Sequence, residues 1–191
     1  MLDALVDTLL YEGYALYPYT PGATKNATPT PFGIVYPPAY AAGSGATFDV
    51  LQIQCLCSGS VVCGEVHFLQ ASGLRHEGTA RRVDLPAAGV VREFDFDGLR
   101  GTASLSLEGG RMTIRVENHT EVPAGLDRGE ALKHSLLSTH VVGQVEGGRF
   151  VSPLEAKGCE QANSWPVLAT PKPPGATACI SASIARSAVP A

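Results

Sequence analysis

Hydrophobic and polar residues alternate from residue 48 to residue 116, and this period-two pattern predicts β-strands. A first hairpin is predicted over residues 48–57 and 61–70, joined by a two-residue turn at Ser58-Gly59. That register places Leu51 opposite Val66 and Cys55 opposite Val62, which gives one apolar face. The other face then carries polar or small residues, namely Gln52, Gln54, Cys63, Glu65 and His67.

Two more hairpins are predicted around a repeated Glu-Gly-Gly-Arg sequence. Residues 103–107 and 112–116 are joined through Gly109-Gly110, which supplies the positive φ angles of a tight hairpin turn. In this hairpin Leu105 faces Ile114. Residues 138–145 and 150–152 are predicted to pair around the second copy, and residues 90–96 add a further alternating strand.

Helical spacing of apolar residues predicts an N-terminal helix over residues 2–12, and Gly13 marks its end. A proline-rich segment over residues 18–38 follows, with a short strand predicted at residues 32–36. Asp127 and Glu130 resemble a capping box, which predicts a second helix over residues 128–137. After Leu168 the chain is rich in Pro, Ala, Ser, Thr and Gly, and we expect this tail to lack structure unless it binds a partner.

Together these elements predict a mainly β fold of antiparallel hairpins that form a sandwich or half-barrel. An N-terminal helix, one short internal helix and a flexible C-terminal tail complete it. We expect a β-rich domain over residues 1–168 and a low-complexity tail over residues 169–191. A chain of 191 residues suits one domain with a tail.

Composition restricts the possible functions. The chain is 45% apolar and 17% charged, with a net charge of −4, and it has no basic stripe, so we expect no nucleic-acid partner. It has no signal-peptide pattern and no apolar run of membrane-spanning length, which favours a cytoplasmic protein that contacts a membrane only through a partner. Its five cysteines are expected to be reduced thiols.

The cysteines and histidines are the candidate residues for metal binding and nucleophilic catalysis. Cys55, Cys57, Cys63 and His67 contain metal-ligating groups, but Cys-x-Cys on a strand separates the two thiols, and the predicted register sends Cys63 and His67 to the other face. Cys55 and Cys57 are better interpreted as small buried apolar residues. Cys159 and His140 could form a nucleophile–base pair, yet neither lies in an activating motif. We therefore predict no metal, no cofactor and no catalytic residue.

The segment Tyr11-Glu-Gly-Tyr-Ala-Leu-Tyr-Pro-Tyr19 concentrates four tyrosines in nine residues. Tyrosine rings cover a large area at low entropy cost, so such clusters suit either core packing or contact surfaces. The predicted partner-binding residues are Tyr11, Glu12, Tyr14, Tyr17, Tyr19, Lys25 and Trp165. Glu12 could also be a helix-end carboxylate and Lys25 a solvated loop charge.

This tyrosine segment, with Lys25-Asn26 and Phe32-Gly33, resembles the opening of a bacterial protein family encoded in gene clusters for uptake [NiFe] hydrogenases. Three later segments also match the family: Ser135-Leu-Leu-Ser-Thr-His140, Glu146-Gly-Gly-Arg-Phe-Val-Ser152 and Asn163-Ser-Trp-Pro-Val-Leu168. The chain departs from the family in two places. Pro29-Thr-Pro31 replaces an Arg-Trp pair, and the low-complexity tail replaces a longer C-terminal region.

The resemblance implies a non-catalytic accessory or scaffolding subunit that binds [NiFe] hydrogenase subunits and forms a homo-oligomer. Two alternatives remain at this stage. The first is a hydrogenase maturation factor that uses Cys55, Cys57, Cys63 and histidines as a metal site. The second is an enzyme of unknown chemistry that uses Glu12, Lys25 and His140.

Overall fold

The computed structural model describes residues 10, 33–43, 47–72, 78–151, 155–169 and 176–181. Within these ranges the chain forms nine strands and two short helices. The helices are α1 (Pro38–Ala41) and α2 (Arg128–Lys133). The strands are β1 (Val50–Leu56), β2 (Val61–Ala71), β3 (Gly78–Leu85), β4 (Val90–Phe96), β5 (Leu99–Glu108), β6 (Arg111–Asn118), β7 (Leu137–Glu146), β8 (Pro166–Ala169) and β9 (Ala176–Ser181).

The strands form two antiparallel sheets, which confirms the predicted mainly β fold. The first sheet has the order β1-β6-β5-β4 and the second has the order β3-β2-β7-β9-β8. Buried residues of both sheets belong to one hydrophobic cluster. For example, the Phe68 ring of β2 lies 5.5 Å from the Phe94 ring of β4, measured between ring centroids. The sheets therefore pack face to face around the main core.

The hairpin of β5 and β6 forms in the predicted register. Leu105 pairs with Ile114 and Leu107 with Met112, and both turn glycines have positive φ angles of 56° and 76°. Strand β4 has the predicted bounds and pairs with β5. Inward-facing side chains such as Leu105 and Ile114 are almost fully buried, and each such burial contributes roughly 1.5–3 kcal/mol.

The predicted hairpin of residues 48–57 and 61–70 is wrong. Strand β1 pairs with β6, whereas β2 pairs with β3 and β7. The chain changes sheets at the predicted turn, where the Cys57 amide donates to Gly110 O and the Ser58 amide donates to Arg149 O. Leu51 and Val66 are buried as expected, but each belongs to a different sheet of the sandwich.

The predicted third hairpin is also wrong. Strand β7 pairs with β2 and β9, while Phe150 forms an isolated bridge with Cys57 and the Val151 amide donates to Leu56 O. After the Glu-Gly-Gly-Arg turn, the chain therefore continues toward the first sheet and does not fold back on β7. The Phe150 side chain is buried in the main core, which accounts for this route.

Part of the predicted tail is a strand. β9 lies between β7 and β8, so the expected absence of structure is wrong for Ala176–Ser181. Its backbone hydrogen bonds to strands on both sides, a source of order that side-chain composition does not reveal.

The helix predictions have mixed outcomes. Asp127 caps α2 by accepting a hydrogen bond from the Glu130 amide at 2.9 Å, but the helix ends at Lys133 rather than at residue 137. The Glu130 carboxylate pairs with Lys133 instead of reaching back to residue 127. The predicted N-terminal helix lies outside the described residues except for Leu10, which is buried. No helix in the described ranges is long and apolar enough to cross a membrane.

Candidate functional site: a junction of three distant segments

Residues 33–36 form the centre of a junction between segments that are far apart in the sequence. The Thr139 amide donates to Gly33 O at 2.9 Å, and Val35 exchanges two backbone hydrogen bonds with Leu136. The Asn163 side-chain amide donates to Ile34 O at 2.9 Å. We call this set, residues 33–36, 135–140 and 162–165, the junction. Of the predicted strand at residues 32–36, the structure shows the isolated bridge at Val35.

Asn118, a buried residue at the end of β6, hydrogen bonds to the backbone of the junction. Asn118 Nδ2 donates to Val35 O at 3.0 Å and to His134 O at 2.8 Å, while its Oδ1 accepts from the Thr120 amide. Because Asn118 is almost fully buried, its polar atoms need such partners within the protein. The residue thereby ties the first sheet to the junction.

A β-bulge in β7 allows Thr139, in residues 135–140 of the junction, to contact Gly33. His67 pairs with His140 and Leu69 pairs with Leu137, so β7 contains one residue more than β2 across this interval. Ser138 has a φ angle of 49°, in the left-handed region where few residues other than glycine are found. The bulge releases the Thr139 amide from the ladder with β2 and lets it donate to Gly33 O.

The third segment is fixed by Asn163 and Ser164. Asn163 also has a positive φ, of 53°, and its Oδ1 is buried without a hydrogen-bond partner. The Ser164 hydroxyl donates to Gln52 O, and Ala162 forms an isolated bridge with Gln52. These contacts hold the segment against the outer edge of β1, so the residues that follow have a defined starting point.

Trp165 follows these anchors directly and is 53% exposed. Val167 and Leu168, at the edge of the second sheet in β8, are also exposed apolar side chains. We call Trp165 and Val167 the Trp165 strip, since alternation along the strand sends the side chain of Leu168 to the opposite face. Exposed apolar residues that lie together are typical of contact surfaces. The other predicted contact residues lie outside the described residues: Tyr11, Glu12, Tyr14, Tyr17, Tyr19 and Lys25.

Cys55, Cys57 and Cys63 differ in burial. Cys55 and Cys57 are buried in the main core, which confirms their interpretation as small apolar residues, and burial raises the pKa of the Cys57 thiol. Burial also raises the pKa of Cys63, and the carboxylates of Glu146 and Glu65 act in the same direction. Within the described ranges, no three His, Cys, Asp or Glu side chains are grouped as metal ligands.

Glu65, His67 and His140 form a partly buried polar row across β2 and β7. His67 Nε2 lies 2.9 Å from Glu65 Oε2, and Glu65 Oε1 accepts from Arg82 Nη2 at 3.0 Å. His140 Nδ1 hydrogen bonds to Ser138 O. Burial lowers the pKa of His140; the bond to Ser138 O opposes this shift, and nearby His67 adds to it.

A polar cleft of about 430 Å³ lies at one end of the sandwich, beside α2. Its cationic side chains have partners within the protein. Arg81 Nη2 pairs with Asp97 at 2.9 Å and its guanidinium lies over the Phe96 ring, while Lys133 pairs with Glu130. Both cations are therefore paired within the protein.

Comparison of the sequence with models of known protein families found no match, and comparison with curated proteins found none either. The candidate site is therefore defined by its geometry and by the sequence segments that meet there. Sequence reasoning missed Asn118 and the role of Asn163. Asn163 begins the segment Asn163-Ser-Trp-Pro-Val-Leu168. The only sequence signal for Asn118 is that it is a polar residue at the end of an alternating strand.

Proposed function

We propose that this protein is a non-catalytic accessory or scaffolding subunit that associates with a [NiFe] uptake hydrogenase and supports its assembly or oligomerisation. One observation carries the proposal. Three of the segments through which the chain resembles the hydrogenase-linked family meet at the junction, although Ile34 and Asn163 are 129 positions apart. Segments that are dispersed in the sequence but bonded to one another are expected to serve one structural purpose.

That purpose, in this proposal, is to present a contact surface. The tyrosine segment, residues 11–19, precedes Gly33 in the sequence. Trp165 follows Asn163 by two positions. Gly33 and Asn163 are both hydrogen bonded within the junction. The junction would therefore anchor the chain fourteen positions after Tyr19, and it would fix the position of the exposed indole. Fixing contact residues before binding lowers the entropy cost of association.

Trp165 is of a residue type that is enriched in binding hot spots. A tryptophan ring buries a large apolar area and keeps one N–H donor, and such rings dominate many interfaces. The matching partner surface would be an apolar pocket with one hydrogen-bond acceptor. In this scheme the hydrogenase subunits carry their own metal centres, so the accessory subunit contributes only binding contacts. Self-association of the accessory subunit would raise the effective concentration of the bound enzyme.

The proposal is tested by purifying the tagged full-length chain from its native host under mild conditions and identifying the bound proteins. Hydrogenase large and small subunits are expected to copurify. Trp165→Ala and Val167→Asp should each lower their yield at least several-fold, because a truncated or charged hot-spot residue weakens an interface strongly.

A matched control comes from the opposite edge of the sandwich. Val91 in β4 is also an exposed edge-strand valine, so Val91→Asp makes the same chemical change away from the Trp165 strip. It should leave copurification unchanged. Absence of hydrogenase subunits from the wild-type preparation would refute the proposal, and equal losses with Val91→Asp and Val167→Asp would refute the assigned surface.

A further inference from the structure

The turn between β4 and β5 consists of two residues, Asp97 and Gly98. Phe96 pairs with Leu99 across it, and the two turn residues have φ angles of 52° and 89°, as in a type I′ hairpin turn. This is the one place in the sequence where an aspartate or an asparagine precedes a glycine. The turn therefore contains the pair of residues in which a backbone nitrogen attacks a neighbouring side chain most easily.

The reaction in question joins the Gly98 nitrogen to the Asp97 side chain. The nitrogen attacks Cγ of the protonated carboxyl group, an N–Cγ bond forms, and one C–O bond breaks as water leaves with the amide proton. The product is a cyclic imide. Water then adds to one of its two carbonyl carbons: cleavage of the N–Cγ bond restores aspartate, and cleavage of the other N–C bond gives isoaspartate. No other reactant is needed, because the water that leaves is returned, and proximity favours such an intramolecular attack.

Both reacting residues are accessible in the folded chain. The Asp97 side chain is 85% exposed. Beyond its neighbours in the chain, no atom of the described residues lies within 4 Å of the place that a Cβ would take at Gly98. Glycine itself has no Cβ to hinder the attack by its nitrogen. The other described aspartates precede larger residues: Asp49, Asp84, Asp95 and Asp127.

Two contacts hold the turn in its native form. Arg81 Nη2 of β3 donates to Asp97 Oδ2 at 2.9 Å, and the Gly98 amide donates to Asp95 Oδ1 at 2.8 Å. The first bond occupies the carboxylate that has to react, and the second holds the nitrogen that has to attack. Both bonds lie at exposed positions, where an ion pair contributes little. They slow the reaction without preventing it.

We infer that Asp97 is a site of spontaneous isomerisation to isoaspartate, and that its ion pair with Arg81 restrains the reaction. Isoaspartate adds one carbon atom to the main chain, so a two-residue turn no longer matches the pairing of Phe96 with Leu99. The modification needs no partner and is independent of the proposed function.

Ageing of the purified full-length protein tests the inference. The protein is incubated at neutral pH for several weeks, below its unfolding temperature, and aliquots are digested with trypsin. The tryptic peptide of residues 93–100 contains both Asp95 and Asp97, so one peptide holds the site and its internal control. Mass spectrometry with electron-transfer fragmentation distinguishes the two isomers. Isoaspartate should accumulate at Asp97 and stay at background at Asp95.

Two variants should change the rate in opposite directions. In Gly98→Asn the new residue tolerates a positive φ and fits the open space, but its Cβ hinders the attack, so the rate should fall at least several-fold. Arg81→Gln removes the ion pair and should raise the rate by up to about fivefold.

Absence of isoaspartate at Asp97 in the aged wild type would overturn the site, and so would equal amounts at Asp95 and Asp97 or an unchanged rate in Gly98→Asn. An unchanged rate in Arg81→Gln would overturn the restraint. If Gly98→Asn does not fold, the comparison of Asp97 with Asp95 in the wild type still decides the matter. None of these outcomes depends on hydrogenase copurification.

Discussion

Single buried amide groups hold the junction together at the residue scale. Asn118 serves two carbonyl oxygens and one amide through one side chain, and Asn163 adds a bond to the next carbonyl along the same segment. A buried backbone group that loses its partner costs about 1–3 kcal/mol. Two side chains therefore reinforce the backbone hydrogen bonds that attach residues 33–36 to the rest of the fold.

Asn118→Ala is expected to lower the free energy of unfolding by about 2–4 kcal/mol. It leaves His134 O and the Thr120 amide without this partner, whereas Val35 O keeps its bond from the Leu136 amide. Urea unfolding monitored by circular dichroism measures the change.

Gln161→Ala is the matched control, because Gln161 also makes two side-chain bonds to backbone, both to Gln54, but at an exposed position. Water can replace those bonds, so the loss should stay below about 1 kcal/mol. Similar costs for the two variants would contradict the assigned role of Asn118.

At the element scale, one of the three predicted hairpins forms, and the strands of the other two pair with partners further along the chain. The hairpin of β5 and β6 is fixed by Gly109-Gly110 and by its own alternation, and both signals are contained in about sixteen residues. The alternation of β1 and β2 shows which side chains are buried but not whether the strands are neighbours or face each other. Gly59 offered a turn, yet the chain uses this region to change sheets.

The candidate site, too, could be predicted only in part from the sequence. The exposure of Trp165 agrees with its predicted availability for contact, although its binding role stays a prediction. The junction depends on bonds such as Asn163 to Ile34, which only the folded chain brings together. The strand at Ala176–Ser181 was missed because its two β-branched residues, Thr177 and Ile180, are outnumbered by alanine and serine, while the strand pairs with β7 and β8 on either side.

The capping residue of α2 gives a prediction at this scale. Asp127→Ala should lower the free energy of unfolding by about 1 kcal/mol, because the Glu130 amide loses its acceptor at the helix start. Thermal unfolding measures the effect. Glu130→Gln removes only an exposed ion pair with Lys133 and should cost less than about 0.5 kcal/mol. A larger effect for Glu130→Gln than for Asp127→Ala would show that the cap is not the stabilising contact.

For the whole molecule, each sheet pairs with a segment from the C-terminal part of the chain. The segment around Ala162 covers the outer edge of β1 through its bridge with Gln52, and β9 joins β8 to β7 in the second sheet. Without β9, both β7 and β8 would present unpaired backbone groups. Such edges promote aggregation.

Two truncations test the role of β9. A chain of residues 1–175 lacks β9 and is expected to unfold at a lower temperature and to aggregate on mild heating, whereas a chain of residues 1–181 keeps the strand and should resemble the full-length protein. Scanning calorimetry and light scattering measure both properties. Identical behaviour of the two truncated chains would contradict the position of β9 inside the sheet.

The central claim is that the Trp165 strip contacts a hydrogenase subunit. Photo-cross-linking in the native host tests it most directly, with a benzophenone amino acid at position 165 in one variant and at position 91 in another. The account predicts a cross-link to a hydrogenase subunit from position 165 and none from position 91. A hydrogenase cross-link from position 91 with none from position 165 would contradict it.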